Sequence, residues 1–551
     1  MVDWIVLPGA LAIIALVGLW RGRSANTVNR YLLAGRELPW YVVGLSIMAT
    51  QASAVTFTST PGQAYVDGMR FVQFYFGLPI AMLILSYSAV PLFRKAGVYT
   101  AYEFLEKRFD ARVRALVSGI FLLQRGLALG ITLYAPAVVL TVIFGWPDWI
   151  TTVVMGGIAV AYTTKGGVKA IAGSDVTQMA VMTLGLIAAL LSAVLLLPAH
   201  VTFGGATTLA DAMGRLNVIT TDFSWADRYN LWSGLIGGAF LALAYFGTDQ
   251  SQVQRYLTAR SVTEARRGLL FNAAAKIPMQ LMVLFIGAMV FVFYIYEKPP
   301  VLFQRTELAR IQAPAVAAEF APIQERYDRA FEARRAAADD VLRGASAGGL
   351  KAADQDMNAA RRDAAALAVR SGGSGSSDTN YIFMTFVTQH IPAGLVGLIL
   401  AVVFGATMAA ISAEMSALAT VSVVDIYKRH IRTGASDHHY LNASRMATLF
   451  WGVYAVIAAQ LIKGIGALIE VVNVVGSLFY GGMLGVFVLA FFFRRVGARA
   501  AFYAVLLGEA VIFACWYYTS IAFLWYNVIG CVVVVLSALA MSALAPRRAG
   551  F

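Results

Sequence analysis

The 551-residue sequence is short of charge, cysteine and histidine. Charged residues make up only 13% of it, about half the share in an average soluble domain, so a soluble fold of this length is excluded. The two cysteines, Cys515 and Cys531, form no CxxC pair and indicate neither a disulfide framework nor a zinc site. The five histidines form no HExxH, and neither a Ser/His/Asp pattern nor a phosphate-cradling glycine loop is present. These absences argue against an enzyme.

The chain is rich in long apolar stretches, with 59% hydrophobic residues and a mean hydropathy of +0.70. Stretches of about 18 or more apolar residues can cross a hydrocarbon core about 30 Å thick, so we predict an all-α polytopic membrane protein with about 13 transmembrane helices. The predicted spans are 4–20, 38–65, 70–93, 114–144, 148–163, 173–199, 230–255, 267–296, 381–427, 441–462, 466–493, 500–518 and 523–545.

The net charge of +13 is distributed as a membrane topology signal. Between residues 301 and 380, 11 Lys/Arg balance 11 Asp/Glu, so the excess lies elsewhere. If the N-terminus is outside, the cytoplasmic loops hold 24 Lys/Arg, while the short opposite loops hold almost none. This pattern predicts a multi-pass protein of the cell (inner) membrane, with the C-terminus cytoplasmic, and no nucleic-acid partner. Residues 4–20 lack a basic n-region and a cleavage site, so they are interpreted as a retained span.

Residues 299–380 interrupt the apolar pattern. ERYDRAFEARRAAADDVL and LKAADQDMNAARRDAAALAV favour helices and are separated by GASAGG. We predict a helical hairpin outside the membrane, inserted in the chain and tethered by the flexible linker SGGSGSSDTN. The hairpin, residues 304–370, is either a solvated spacer or an arm for a protein partner.

The second span is unusually polar for a helix in lipid. GLSIMATQASAVTFTSTPGQAYVDG carries several hydroxyls, and Pro61 removes a backbone donor, so a break with freed carbonyls is predicted. Five spans later, GGAFLALAYFGTDQSQVQR combines Gly237, Gly238 and Gly247 with the polar Thr248-Asp249-Gln250. Two interrupted helices in corresponding positions of two halves indicate a transporter built from inverted repeats, with a cation or solute site at the breaks.

Ionisable residues inside spans are functional hypotheses by default. Asp175 opens the sixth span, where it is either an interfacial carboxylate favoured by the helix dipole or part of an ion site or gate. Glu414 lies deep in the ninth span, where it either pairs with Arg125 or Lys276 or carries a proton.

Several motifs occur in order along the chain: RYLLAGRELPW, AYEFLEKRF, GGVKAIAGSDVTQ, DQSQVQRYLTARSVTEARRG, DIYKR and FYGGMLGVFVLAFFFRR. Through them the sequence resembles the sodium:solute symporter family, which includes sodium/glucose, monocarboxylate, multivitamin and iodide transporters. The resemblance covers nearly the whole chain apart from the insertion. It implies the leucine-transporter-like fold of two inverted five-helix repeats, spans two to six and seven to eleven. The implied parts are 1–37, an extra helix and loop; 38–199, the first repeat; 230–298 with 381–493, the second repeat; and 494–551, the C-terminal helices.

The resemblance also implies a sodium site. Its ligands are expected to be backbone carbonyls of Ala49, Ala52 and Ala406 and two hydroxyls at positions 409 and 410. This sequence has Ala409 and Ala410, so both hydroxyls are missing and coupling to Na+ is in doubt. Thr407 and Ser412 are nearby hydroxyls that would partly compensate, and Asp175 matches a family carboxylate near the ion's exit or a further ion site.

For the solute, the predicted gate or contact residues are Gln51, Thr56, Tyr245, Lys276 and Asn473. Tyr245 matches a gating tyrosine and Lys276 a sugar-contacting lysine of family members that carry sugar. Thr56 and Ala242 replace polar amides, Asn473 stands in for a glutamine, and Gln51 lies in the broken helix. The solute is a sugar, a small carboxylate or a vitamin-like anion steered by Lys276 or Arg125. No organic cofactor is implied.

We therefore predict a symporter that moves a small organic solute by alternating access, with Na+ as the family's coupling ion and a degraded sodium site. The alternative is a facilitator or solute sensor of the same fold, uncoupled from ions or coupled to H+.

Overall fold

The computed structural model describes residues 3–22, 27–144, 147–373, 378–461 and 468–544. Regular structure in these ranges is helical, apart from an isolated β-bridge between Leu38 and Ala259. The helices are α1 (Asp3–Gly22), α2 (Val28–Leu33), α3 (Trp40–Gln51), α4 (Ala54–Asp67), α5 (Leu78–Tyr87), α6 (Ala89–Ala96), α7 (Ala101–Arg108), α8 (Ala111–Phe144), α9 (Asp148–Leu195), α10 (Phe203–Ala212), α11 (Gly238–Gly247), α12 (Gln250–Leu257), α13 (Val262–Tyr296), α14 (Arg305–Ile311), α15 (Ala317–Leu342), α16 (Gly348–Arg370), α17 (Thr379–His390), α18 (Leu395–Val421), α19 (Asp437–Leu461), α20 (Leu468–Phe492), α21 (Ala498–Tyr518) and α22 (Phe523–Leu544). Short 3₁₀ segments (Ala34–Arg36, Met69–Tyr75) and π-helical segments (Ser233–Gly237, Ser422–Ile431) adjoin them.

Within the described ranges, 8 helical stretches are long and apolar enough to cross a membrane, and the bent pair α3 and α4 makes up to 9. The all-helical membrane class predicted from composition is thereby confirmed. The count of thirteen spans stays a prediction. Several of the remaining predicted spans are shorter apolar helices, such as Ser233–Gly247, or extend beyond the described residues.

The second predicted span consists of α3 and α4, which meet at 59°. The break lies at Ala52 (φ −85°, ψ 65°) and Ser53, whose backbone is extended. The amide of Thr56 donates to the carbonyl of Ser53 (2.9 Å), so the carbonyls just before α4 leave the α-helical pattern. The prediction that Pro61 causes the break is wrong. Pro61 lies inside α4, and its carbonyl is covered by Gly287 of α13, so packing accommodates it.

The second interruption lies between α11 and α12. Thr248 and Asp249 separate the two helices, and the Asp249 carboxylate caps α12 by accepting from the amide (2.8 Å) and the hydroxyl (2.7 Å) of Ser251. The hydroxyl of Thr248 donates back to the carbonyl of Ala244 (2.8 Å). The side chain of Asp249 is therefore held at the point where the helix is interrupted.

Between the predicted spans 148–163 and 173–199 the structure has a single bend within α9. Gly167 has φ 58° and ψ −177°, and the chain is helical on both sides of it. A Cβ at this position would lie 2.8 Å from the Tyr31 ring and 2.9 Å from the Tyr31 carbonyl. Glycine is therefore required both by the backbone conformation and by the close contact.

We expect Gly167→Ala to lower the melting temperature of the purified protein in detergent, because a side chain in this backbone region costs about 1–3 kcal/mol. The matched control is Gly157→Ala in the same helix, where a Cβ meets nothing within 4 Å. The control should not lower the melting temperature, because alanine favours a helix over glycine by about 1 kcal/mol. Equal melting temperatures for the two variants would contradict this account of the bend.

The predicted span 381–427 is divided into two helices, so that prediction is wrong. α17 ends at His390, and α18 begins after a turn in which Gly394 has φ 95°. The carboxylate of Asp3 accepts hydrogen bonds from the amides of Gly394 and Gly397, both at 2.7 Å. The beginning of α1 therefore lies beside the beginning of α18.

The insertion forms the predicted helical hairpin. α15 and α16 are separated by 343–347, and they pack through apolar side chains that include Phe331, Met357 and Leu367. Alanines at 330, 360 and 364 lie in the same buried cluster, so the helices approach closely. The helix-forming sequences on either side of GASAGG account for this local structure.

The hairpin is docked by hydrogen bonds, which its sequence did not predict. Arg334 of α15 donates to the carbonyl of Tyr294 near the end of α13, and the Tyr327 hydroxyl donates to the carbonyl of Pro299 (2.9 Å). The carboxylate of Asp378 accepts from the amides of Phe303 and Gln304, both at 2.8 Å. These bonds dock the hairpin on the membrane part of the protein. Residues 374–377 of the predicted linker lie outside the described residues.

Candidate solute and ion site

A cavity adjoins both helix breaks, and we call it the central cavity. The 3₁₀ segment Met69–Tyr75 and helices α5, α8, α13, α18 and α20 contribute the rest of its wall. All residues predicted for a solute site or gate line it: Gln51, Thr56, Tyr245, Lys276 and Asn473. Glu414, predicted as an ion or proton site, lines it as well. The fold therefore places these predicted residues around one cavity.

One arginine joins two carboxylates at the cavity wall. Arg125 of α8 donates to Glu414 of α18 (3.1 Å) and to Asp249 at the break before α12. The Tyr480 hydroxyl of α20 donates to Asp249 (2.8 Å) and accepts from Arg125 (2.8 Å). The pairing of Glu414 with Arg125, one of two alternatives considered for Glu414, is observed. The cluster links four parts of the fold across the cavity.

This cluster carries an excess of one negative charge. Arg125 and Asp249 are buried, and the second oxygen of Glu414 has no hydrogen-bond partner among the described residues. Thr132 donates weakly to the first oxygen (3.4 Å). A buried carboxylate whose hydrogen bonds are incomplete is destabilising unless a proton, water or ligand completes them. The Glu414 carboxylate therefore has free hydrogen-bonding capacity, as does the Nε of Arg125 among the described residues.

Lys276 is the other cation at the cavity. Its side chain is 1% exposed, and its ammonium group has no hydrogen-bond partner or ion pair among the described residues. The ammonium lies 5.3 Å from the centre of the Tyr75 ring, a cation–π contact. Pairing between Glu414 and Lys276 is not observed. The Lys276 charge is thus available to a ligand.

The uncharged solute residues are held in place by their neighbours. Gln252 donates to the Tyr245 hydroxyl (2.8 Å), and the Tyr245 ring lies 5.5 Å from the Arg125 guanidinium. Gln51 donates to Asn272 (2.8 Å). Asn473 donates to a backbone carbonyl of its own helix (2.7 Å). These side chains therefore form a preorganised wall.

The five positions of the implied sodium site are all buried: Ala49, Ala52, Ala406, Ala409 and Ala410. Ala52 lies at the break, and α18 packs against both α3 and α4. The backbone at the break suits a hard cation, because freed carbonyl oxygens are its preferred ligands. Positions 409 and 410 present methyl groups in place of side-chain oxygens. The fit to a sodium ion is therefore partial.

The other residues predicted for an ion lie apart from the central cavity lining. Asp175 is fully buried inside α9 and accepts from the Ser46 hydroxyl (2.5 Å), so the alternative of an interfacial carboxylate at a helix start is wrong. The Thr407 hydroxyl donates to its own helix at Val403 (2.8 Å). The Ser412 hydroxyl is bonded to Thr163 (2.7 Å). Both hydroxyls already have protein partners.

Residues not predicted as site residues include Gln124 and Tyr480 of the cavity wall and Asp249 of the charge cluster. Asp249 was recognised only as part of a polar cluster at the break. Tyr480 stands in FYGGMLG, a motif that marked the family but gave no hint of the hydroxyl's bond to Asp249. A sequence signal that could have identified them is a polar or aromatic residue that lies within a span and close to a glycine.

The DIYKR motif ties the end of α18 to α7 and α8. Asp425 accepts from Arg114 (2.7 Å) and from the Thr100 hydroxyl (2.8 Å). Arg114 and Arg429 also bond Glu106 of α7 (2.6 and 2.8 Å). Burial acts to raise the pKa of Glu106, but the hydrogen bonds from Arg429 and Arg114 outweigh it and hold the pKa below its ordinary value. This network is structural and lies away from the cavity.

The family model that matches is that of the sodium:solute symporter family, over residues 31–317 and 362–508. The match omits most of the hairpin. The sodium/glucose cotransporter of Vibrio parahaemolyticus is 26% identical over 514 residues, covering 92% of this chain and 83% of that protein. The human sodium-coupled monocarboxylate transporter 1 is 26% identical over 92% of this chain and 72% of its own length.

Similarity to sialic acid symporters is found both in sequence and in structure. The sodium/sialic acid symporter of Proteus mirabilis is 25% identical over 97% of this chain and 94% of its own length. A solved structure, a substrate-bound outward-open state of a Na+-coupled sialic acid symporter, superposes with a TM-score of 0.78 at 22% identity, covering 99% and 98% of the two chains. At this identity, the structural likeness shows the fold alone.

Proposed function

The chain belongs to the sodium:solute symporter family, and we propose from this membership and its central cavity that it moves a small organic anion across the membrane by alternating access. The observation that carries the solute class is the unpartnered ammonium of Lys276 at the cavity wall. A buried, unpaired cation is costly, and a carboxylate of the solute would complete its hydrogen bonds and neutralise it. Arg125 is already neutralised by two carboxylates, so Lys276 is the preferred anion contact.

The rest of the wall favours a largely apolar organic anion over a sugar. Phe74, Leu241, Ala242, Phe246 and Val472 line the cavity beside the polar groups. A hexose would need a partner for each buried hydroxyl, and every unpaired one costs about 1–3 kcal/mol. A monocarboxylate or a vitamin-like anion would need fewer such partners.

The solute class is tested by counterflow in liposomes that contain the purified full-length protein. Labelled benzoate, lactate, biotin and galactose are offered to vesicles loaded with the same unlabelled solute, at equal Na+ on both sides. We expect saturable accumulation of at least one of the anions and none of galactose. Exchange of galactose alone would overturn the anion proposal while leaving transport itself intact.

We propose that sodium coupling in this chain is weak, because the implied site keeps its carbonyls and lacks both hydroxyls. Relatives are named as sodium-coupled, which makes Na+ the first ion to test. Ala409 and Ala410 favour one competing function, a facilitator that moves solute without an ion gradient. Proton coupling through Glu414 or Asp175 is a further outcome of the same experiments.

Ala409→Ser/Ala410→Ser is expected to strengthen Na+ binding by about tenfold or more, because each added hydroxyl supplies a ligand for a hard cation. The measurement is radioactive sodium binding to the purified protein, which requires no knowledge of the solute. The wild type should bind only weakly.

The matched control is Ala401→Ser/Ala417→Ser, which adds two hydroxyls at fully buried positions of the same helix. It should leave sodium binding unchanged. Tight, saturable binding by the wild type would show that other ligands replace the hydroxyls, and the proposal of weak coupling would then fail.

We propose thirteen spans: one N-terminal helix, two inverted five-helix repeats (38–199, and 230–298 with 381–493) and two C-terminal helices. In this topology the N-terminus and the hairpin are outside, and the C-terminus is cytoplasmic. The Lys/Arg excess in alternate loops supports the orientation. The contact between Asp3 and the beginning of α18 agrees with it, because both helices would then start on the same side.

A further inference from the structure

A second cavity lies where the hairpin meets the ends of α4 and α13, and we call it the hairpin cavity. No residue lines both cavities. Thr56 and Val66, one in each lining, are ten residues apart on α4, or roughly 15 Å along its axis. The hairpin cavity is lined by an excess of two positive charges, from Arg215, Arg334, Arg361 and Arg362 against Asp354 and Asp378.

Arg334 is the most deeply buried of these arginines, at 2% exposure. It donates to Asp354 (3.0 Å) and to the carbonyl of Tyr294, while its Nε has no hydrogen-bond partner among the described residues. A guanidinium has five N–H donors, and leaving one buried without an acceptor is costly. Arg334 therefore retains a donor that its own neighbours do not satisfy.

Arg215, from the loop after α10, shares the same carboxylate. Its Nη2 lies 4.0 Å from Asp354, its Nη1 donates to the carbonyl of Val66, and its Nε has no hydrogen-bond partner in the described part of the chain. Burial lowers the pKa of Arg215 below its ordinary value, although Asp354 acts in the opposite direction. One aspartate thus faces two guanidinium groups. Their combined charge is only half neutralised.

Aromatic rings hold these cations in place and give the cavity an apolar wall. The guanidinium of Arg215 lies 4.4 Å from the centre of the Phe291 ring, and that of Arg334 lies 5.8 Å from the same ring. Tyr65 also lines the cavity. Stacking on a ring leaves the edge of a guanidinium, which carries its N–H donors, free to bind a planar oxyanion.

The remaining arginines come from α16. Arg361 is paired with Asp378 (2.8 Å). Arg362 is exposed and has no ion pair among the described residues. The family model match skips 318–361, which includes Arg334 and Arg361, whereas Arg362 and Asp378 lie inside it.

We propose that the hairpin cavity is a second binding site, which takes a small organic carboxylate. The carboxylate accepts from the Nε donors of Arg215 and Arg334 and is attracted by the charge of Arg362, and its organic part lies against Phe291 and Tyr65. Such a ligand would bridge the hairpin and the membrane part, which gives the insertion a role beyond that of a spacer. The inference concerns binding alone and does not depend on the proposed transport of an anion.

The test is equilibrium binding of labelled benzoate to the purified full-length protein in detergent, with benzoate added as its choline salt at fixed Na+ and ionic strength. All variants carry Lys276→Met, so that a central anion contact is removed from the comparison. We expect saturable binding that the neutral analogue benzamide does not displace. Arg215→Gln/Arg362→Gln should weaken it by about tenfold or more.

The matched control is Arg329→Gln/Arg335→Gln, which removes two exposed charges from α15 outside the cavity and should leave benzoate affinity unchanged. Arg362→Gln alone provides a variant that folds, because Arg362 is exposed and unpaired; it should weaken binding severalfold. Undiminished binding by both cavity variants would overturn the proposal. Equal displacement by inorganic phosphate would overturn its organic part.

Discussion

Arg125→Met is expected to abolish transport and to destabilise the protein. The substitution keeps an unbranched side chain of similar length but removes the only cation bonded to Asp249 and Glu414 among the described residues. Breaking a buried ion pair from one side typically costs 3–5 kcal/mol, because the partner charge stays buried without compensation. The measurements are the melting temperature of the purified protein and solute counterflow in liposomes.

A neutral version of the whole cluster separates charge from packing. Arg125→Met/Asp249→Asn/Glu414→Gln leaves no uncompensated charge, and Asn at 249 can still cap α12. We expect it to recover most of the lost stability but not transport. The control Arg112→Met changes an exposed arginine at the beginning of the same helix and should affect neither property. If Arg125→Met alone were as stable as the wild type, the cluster would contribute little to the stability of the fold.

The positions of the broken helices were predictable because their cause is partly local. Glycine and hydroxyl residues weaken a membrane helix, and they stand out against leucine and valine. The exact break was not predictable. Pro61 is the stronger local signal, yet the helix continues through it where Gly287 packs on its carbonyl, and it breaks at Ala52 and Ser53 instead. We infer that packing against neighbouring helices keeps α4 helical at Pro61, so that the break lies at Ala52 and Ser53.

The charge cluster shows the same limit for the site. Arg125, Asp249 and Glu414 were each visible in the sequence, and pairing of Arg125 with Glu414 was one of two alternatives. The pairs are separated by 124 and 289 residues, and no periodicity relates them. The family resemblance, which the family model confirms, supplied the residues facing the cavity. It could not supply the hairpin cavity, since most of the hairpin lies outside the family match.

The helices of the hairpin could be predicted from local sequence, but their attachment to the rest of the protein could not. The helices of α15 and α16 follow from composition. Their attachment depends on Arg334 reaching the carbonyl of Tyr294 in another helix. A charge-balanced, alanine-rich sequence is equally compatible with a free arm. Only the burial of its arginines distinguishes the docked arrangement.

Lys276→Met is expected to raise stability and to lower transport of an anion, two effects of opposite sign. Methionine fills the space of the lysine side chain without its unpartnered ammonium, so the folded protein gains about 1–3 kcal/mol. Loss of the contact between the ammonium and a solute carboxylate should reduce apparent solute affinity by about 10- to 150-fold. Thermal unfolding and anion counterflow on the same preparation measure both effects.

The matched control is Gln280→Met, about one turn further along α13. Gln280 is fully buried, and both of its amide atoms lack partners among the described residues, but it does not line the central cavity. It should therefore gain stability and keep anion transport, whereas Lys276→Arg should keep the charge and part of the transport. If both methionine variants gain stability and only Lys276→Met loses transport, the stability cost of a buried polar group is separated from its role in binding the solute. If Lys276→Met were instead to transport the anion normally, the ammonium would be a structural feature, and the solute would have to be recognised by the Arg125 cluster.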